Sequence, residues 1–373
     1  MSSNRQVASR RLLYMASART IHTVRWVNAM ARNRLDVHLL SLDSPTEPID
    51  PQVTLHFPPF RRQPGYIANS LWSRRLIRQL MPALVHSHYA SGYGTLAALC
   101  GFHPTILSVW GSDVYEFPYR SPLHRWLLKF NLSRADRVLS TSHAMAIQTQ
   151  RFTDKQITVT PFGVDLENFR PLPVRSLFSS GDIVVGTVKT LEVNYGIEYL
   201  IRAFRLLKDM LPATPLKLLI VGGGSQRARL ESLARELGVW ADTRFTGHVG
   251  HDEVPQYFNM LDIAVMPSIY DSESFGVSAI EASACCKPVV VCDVGGLPEV
   301  VEDGVTGLVV ESRNEVAIAT AIGRLVAEPG LRSKMGQAGR ERVGKLYEWN
   351  ANVEQMLSIY DEVAGSVPVG MPA

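Results

Sequence analysis

The stretch IAVMPSIYDSESFGVSAIEASACCKPVVVCDVGGLPEVV, residues 263–301, decides the fold. It opens on a short apolar run, Ile263 to Pro267, suited to a strand covered on both faces. A polar loop follows, and Gly276 allows close backbone approach where a helix over 276–285 is expected to begin. The β-branched run Val289-Val290-Val291 then predicts a second buried strand. Strand, helix and strand in this order imply parallel strands joined by a right-handed crossover.

The same rhythm extends in both directions. Strands are expected at 12–17, 37–42, 84–88, 105–110, 138–142 and 157–161, then at 183–188, 216–222, 243–247, 263–267, 289–293 and 308–310. Helical stretches fall between most of them, and the chain reads as helical from 331 to 363. The Pro- and Ser-rich segment 169–182 interrupts the pattern and marks the expected boundary. The reading is α/β: a Rossmann-like domain over 1–172, a second over 173–347, and a final helix and tail over 348–373 that crosses back to the first. At 373 residues the chain is long enough for two cores.

Composition narrows the function classes. The hydrophobic share of 46% and charged share of 20% are those of a soluble globular protein. No apolar run is long enough to span a bilayer, and the polar, basic start MSSNRQVASRR does not read as a secretory signal. The four cysteines, Cys100, Cys285, Cys286 and Cys292, lack zinc-site spacing and are expected as reduced thiols in a cytoplasmic protein. Residues 1–172 hold 20 Lys and Arg against 10 Asp and Glu, whereas residues 173–373 hold 18 against 25. A basic half points to an anionic partner or surface.

Doubly wound sheets bind ligands beyond the carboxyl ends of their strands. Glu273 and Glu281 follow the strand at 263–267, and the helix start at Gly276 offers free N–H groups to a phosphate. Two carboxylates about two helical turns apart suit a long polyhydroxy ligand, one acid at each end and a diphosphate between.

The run ESFGVSAIEASACCKPVVVCDVGGLPEVVEDGVTGLVV resembles the signature of the retaining glycosyltransferase family 4, with the GT-B fold of two Rossmann-like domains facing across a cleft. ADRVLSTS (135–142), VTPFGVDLENFRP (159–171), VGGGSQRARLESLARELGV (221–239) and RFTGHVGHDEVPQYFNMLDIAVMPS (244–268) are similar to further blocks of that family. HPTILSVWGSDVYEFP (103–118) resembles bacterial members that build surface polysaccharides.

The resemblance implies roles. Glu281 would bind the ribose and Glu273 the donor sugar. The backbone of Phe275, Gly276 and Val277 would hold sugar and diphosphate, and the turn Gly247-His248-Val249 would lie against the base. The family's Arg and Lys clamp is altered: Lys189 stands in the Arg place and Tyr195 in the Lys place, with Arg19 the candidate second cation. The first loop lacks the family's glycines and carries His22, Arg25 and Trp26. Trp110-Gly111 replaces a His-Gly pair, so Trp110 is a candidate for stacking on a sugar. His22 and Asp113 join Glu273 and Lys189 as candidate catalytic residues, with a helix cap the alternative role for Asp113.

The implied reaction is retaining hexosyl transfer from a nucleotide diphosphate sugar to a glycan or polyprenyl-diphosphate-linked acceptor, by front-face displacement. No Asp-x-Asp pair or metal-ligand cluster stands in the sequence, so neither metal nor cofactor is expected, and no nucleic-acid partner. The aromatic and basic stretches at 60–62, 71–81 and 123–130 suit docking on the inner face of an anionic membrane. Alternatives are a non-catalytic nucleotide-sugar binder, a nucleotide-sugar epimerase of the same fold, and, from the weak Gly222-Gly223-Gly224 loop, a nicotinamide oxidoreductase.

Overall fold

A computed structural model describes residues 11–366; the N-terminal segment 1–10 and the tail from 367, with the reading made of that N-terminus, lie outside the described residues. The chain forms two compact units. One comprises the described residues up to Thr160 together with those from Asn352 onward; the other is Pro161–Ala351.

The first unit is built on strands β1 (Arg11–Met15), β2 (Asp36–Leu40), β3 (Thr54–His56), β4 (Leu84–His88), β5 (Thr105–Ser108), β6 (Arg137–Ser140) and β7 (Ile157–Val159). Its helices are α1 (Ile21–Arg32), α2 (Gly65–Ala68), α3 (Ser70–Leu80), α4 (Gly92–Cys100), α5 (Ser112–Tyr115), α6 (Pro122–Arg134) and α7 (His143–Gln150). The strands pair in parallel in the order β3-β2-β1-β4-β5-β6-β7. Local chemistry starts the helices: Pro122 takes the first position of α6 behind the cap Ser121, and Ser142 caps α7 by accepting from the Met145 amide.

The second unit has β8 (Ile183–Val188), β9 (Leu216–Val221), β10 (Thr243–Gly247), β11 (Ile263–Met266), β12 (Val289–Cys292) and β13 (Gly307–Val310). They pair in parallel in the order β10-β9-β8-β11-β12-β13. Around them lie α8 (Ile197–Met210), α9 (Arg227–Glu236), α10 (Val254–Met260), α11 (Val277–Ala284), α12 (Leu297–Val300), α13 (Glu315–Ala327) and α14 (Pro329–Leu346). The runs Val289-Val290-Val291 and Leu218-Leu219-Ile220 are almost wholly buried, as strands covered on both faces must be.

The last helix, α15 (Trp349–Ser366), contributes its residues from Asn352 to the first unit. There a buried polar chain ties it to the sheet. Tyr360 Oη lies 2.5 Å from Tyr14 Oη and 2.7 Å from His86 Nδ1, and His86 Nε2 lies 2.8 Å from Ser108 Oγ. Burial favours the neutral ring and lowers His86 to a pKa of about 3.

The units divide at Thr160 and Pro161, earlier than the expected 172 and 173. Residues 162–169 pack into the second unit. Phe162 meets Phe275 edge-on at 6.0 Å, the Val164 amide donates to Tyr347 O at 2.8 Å, and Arg340 donates to Phe169 O at 3.1 Å.

Candidate functional site

In each sheet the strand order reverses once. In the second unit this happens between β8, which continues toward β9, and β11, which continues toward β12. Side chains that follow these two strands therefore meet over the switch point. Lys189 directly follows β8, and Ser268 and Glu273 follow β11. Lys189 Nζ is 3.0 Å from Glu273 Oε1 and 2.8 Å from Oε2, and Ser268 Oγ donates to Oε2 at 3.0 Å.

Both charged groups are largely withdrawn from water, Lys189 with 14% and Glu273 with 9% of the side chain exposed. Burial alone would lower the Lys189 pKa. Glu273, Tyr195 and Glu281 outweigh it, and the net shift is upward, so the cation is held charged.

Helix α11 starts at the same place. Its cap, Gly276, has φ +98°, and a Cβ there would come within 2.7 Å of Leu297 Cδ2, so backbone conformation and space both call for glycine. Ser278, in the first turn, donates from Oγ to Val188 O and fastens the helix start to the end of β8. The first N–H groups of α11 thus open beside Lys189, where a helix terminus favours an anion. The helix begins only at Val277. Glu281 is its fifth residue, little more than one turn in, and Glu273 belongs to the preceding loop; the expected two-turn spacing along one helix is corrected accordingly. Glu281 is 7% exposed. Phe275 is buried against Phe162 and Tyr347, which leaves its backbone as the part able to face a ligand.

The Glu273 loop is braced from behind. Gly295 has φ +53°, and its amide donates to Asp271 Oδ1 at 3.1 Å; the Gly296 amide donates to Glu273 O at 3.0 Å. The glycine-rich turns after β9 and β10 also touch. The Gly222 amide donates to Gly247 O at 3.0 Å, and Gly223 lies against His248, which is exposed, while Val249 is partly covered. Ser268, Ser278 and the bracing pair Gly295-Gly296 were not singled out in the sequence. Paired glycines just after a strand were the one signal available for the last.

The first unit gathers its own cluster where its strand order reverses, between β1 and β4. His22 lies at the start of α1, with Arg19 exposed in the loop before it. Trp110, after β5, meets His22 edge-on at 6.0 Å, Tyr89 at 5.4 Å and His88 at 4.2 Å. His88 is buried, with Nδ1 3.3 Å from Thr23 Oγ1; burial, then His86 and His22, push its pKa far down. Tyr89 sits at φ +68°, an uncommon conformation for a bulky residue.

Asp113 departs from the catalytic expectation. It is 1% exposed, and its carboxylate accepts from the amides of Ala90 (2.7 Å), Trp110 (3.1 Å) and Gly111 (2.8 Å). With its oxygens occupied by backbone, it latches the Trp110-Gly111 turn to the end of β4. Burial raises its pKa and those amides only partly offset the rise.

Comparisons with known proteins agree with this fold. The family described as "Glycosyl transferases group 1" matches residues 169–342, and "Glycosyl transferase 4-like" matches residues 11–142. A D-inositol 3-phosphate glycosyltransferase of Nocardiopsis dassonvillei is 33% identical over 301 residues, covering 74% of this chain and 70% of the relative. A GDP-mannose-dependent alpha-(1-6)-phosphatidylinositol monomannoside mannosyltransferase of Mycolicibacterium smegmatis is 37% identical over 212 residues, 53% of this chain and only 55% of that protein. Among solved structures, sucrose-phosphate synthase of Thermosynechococcus elongatus superposes with a TM-score of 0.82 at 23% identity, over 96% of this chain and all of that one. Anabaena HepE in complex with UDP gives 0.78 at 16% identity, over 94% and 100%. The chain belongs to the group 1 glycosyltransferases of the family-4 type, with the two parallel-sheet domains of the GT-B fold.

Proposed function

We propose that the protein transfers a hexose from a nucleotide diphosphate sugar to a hydroxyl of a lipid-linked glycan acceptor, with retention at the anomeric carbon and without a metal ion. The observation that carries the reading is the convergence of Lys189, Glu273 and the start of α11 at one switch point, with Glu281 one turn deeper.

In this reading the diphosphate lies on the first amides of α11, beside Lys189. The backbone of Phe275, Gly276 and Val277 lines its path. Glu281 accepts hydrogen bonds from the ribose hydroxyls, Glu273 from the sugar, and the turn Gly247-His248-Val249 faces the base. Glu273 exchanges part of its bonding to Lys189 and Ser268 for the sugar when the donor arrives.

The anomeric carbon–oxygen bond to the diphosphate breaks, and the acceptor hydroxyl bonds to that carbon on the same face. The hydroxyl proton passes to a departing phosphate oxygen. Negative charge grows on the leaving diphosphate, where Lys189 and the helix amides are already oriented. No protein nucleophile takes part, and the first unit is assigned the acceptor, with His22 beside it.

The two relatives support the acceptor class. Both are named for acceptors that carry a phosphate, and one of those is a lipid. An anionic acceptor suits the basic first half of the chain.

The test is Glu281→Gln. Loss of a charged acceptor for ribose hydroxyls should weaken UDP or GDP binding about ten- to a hundredfold. A thermal-shift panel of nucleotide diphosphate sugars identifies the donor beforehand. Unchanged affinity and turnover in the variant would overturn the reading.

A further inference from the structure

Two stretches of the first unit carry no acidic residue at all. Residues 51–112 hold five arginines and residues 117–135 hold three arginines and a lysine. The fold brings their helices into one layer, because α4 packs against both α3 and α6. At the end of α4 the guanidinium groups of Arg74, from α3, and Arg134, from α6, reach within 3.5 and 3.9 Å of the place a Cβ would take on Gly101.

Those two cations have a local explanation: Arg74 Nε donates to Cys100 O at 3.0 Å, and cations at a helix C-terminus are favourable. The outer faces have none. On α3, Leu71, Arg75 and Arg78 form one exposed stripe at helical spacing, continued by Ile67 before it. On α6, Leu123 and Trp126 are 68% and 60% exposed, and the Trp126 ring stacks on Phe130 at 5.6 Å. Among the described residues, Arg75 and Arg78 enter no ion pair.

Of nine exposed large apolar side chains described between residues 11 and 160, eight lie in the two acid-free stretches. In the second unit such side chains are spread from Leu177 to Leu346. Scattered exposed apolar residues need no explanation; a concentration of them among uncompensated arginines does.

We infer that the outer faces of α3 and α6 dock on an anionic lipid bilayer. The arginines meet the headgroup phosphates, and Leu71, Leu123 and Trp126 enter the headgroup boundary, where indole rings are favoured. Leucine and tryptophan beside the arginines favour a bilayer over a nucleic acid, which needs the charge but not the aliphatic chains. The surface accords with a lipid-borne acceptor, yet docking requires neither acceptor nor nucleotide.

Flotation of the full chain with phosphatidylcholine vesicles, with and without phosphatidylglycerol, tests it. Binding is expected only to the anionic vesicles, and Arg75→Gln with Arg78→Gln should weaken it about thirtyfold. Leu123→Ser with Trp126→Ser should abolish the part that survives high salt. Both variants should keep the thermal shift produced by the donor nucleotide, which separates this surface from the donor reading and shows that they fold. Absence of binding to anionic vesicles at low salt, or binding indifferent to either pair of substitutions, would overturn the inference. So would a polyanion such as heparin binding as tightly to the Leu123→Ser, Trp126→Ser variant while vesicle binding also stays unchanged.

Discussion

The Lys189 ammonium lies 4.5 Å from the centre of the Tyr195 ring. The position at which the family resemblance implied a second cation holds instead a π face beside the first. A shielded cation–π contact contributes about 1–2 kcal/mol. Tyr195→Phe should therefore keep donor affinity close to that of the parent, because the ring remains. Tyr195→Leu should lower it by about tenfold. Calorimetric titration with UDP and GDP checks both; equal affinities in all three proteins would show that the ring does not hold the lysine for the donor.

Asp113 is read as a latch, and its prediction follows from three backbone amides aimed at one carboxylate. Asp113→Asn turns one acceptor oxygen into a donor facing other donors. The expected cost is about 2–3 kcal/mol of stability, seen as a lowered denaturant midpoint. Activity per folded molecule should change little. Collapse of kcat with stability intact would instead make Asp113 a catalytic residue.

The buried histidines predict an acid-sensitive first unit. His86 stays neutral in the fold down to a pKa of about 3, against 6.5 when exposed, and His88 is depressed as well. Between these values the unfolded chain binds more protons than the folded one, so stability is full above pH 6.5 and falls as pH drops. His86 contributes a slope of roughly 1 kcal/mol per pH unit in that window, and His88 adds to it in the same direction. Denaturant titrations from pH 7 to 5 should show the loss, and His86→Gln should show a shallower slope. Parallel slopes would remove His86 as the cause.

Much of this was legible in the sequence, for identifiable reasons. Most strands of the second unit announce themselves as β-branched or aliphatic runs bounded by turn residues; β10, Thr-Arg-Phe-Thr-Gly, does not. Glu273 and Glu281 come just after such a run and could be named from position, whereas Lys189 was named from the family resemblance. What escaped depends on distant contacts. β3 is a three-residue edge strand, Thr54–His56, between prolines, and among the described residues pairs only with β2. The unit boundary moved because Phe162, Val164 and Phe169 find partners near residues 275 and 340, which local composition cannot reveal. Asp113 looked chemical because nothing in its neighbourhood names the Ala90 amide as its partner.

Gly295 carries the next prediction. Its φ of +53° is uncommon for other residues, and a Cβ there would lie 2.1 Å from Glu273 O. Gly295→Ala should displace the Glu273 loop and reduce kcat more than donor nucleotide affinity, because Glu281 belongs to α11 and not to the loop that Gly295 braces. Steady-state kinetics beside nucleotide titration separate the two effects; an equal loss in both would mean that the loop and the helix start move together.

The Lys189–Glu273 pair offers the sharpest separation of stability from function. Both groups are nearly buried, so removing one strands the other. Lys189→Met should cost about 3–5 kcal/mol, since breaking a buried pair from one side leaves an uncompensated charge. Glu273→Gln alone should cost less, because the amide still accepts from Lys189 and Ser268. The double variant removes both charges and should recover most of the stability lost in Lys189→Met. It should recover no transfer activity, because Lys189 is the cation assigned to the leaving diphosphate and Glu273 the acceptor for the sugar. Chemical denaturation and a transfer assay on the four proteins complete the cycle. Stability that stays low in the double variant would mean the pair is not what makes Lys189→Met costly, and activity that returns with stability would place the chemistry on other residues.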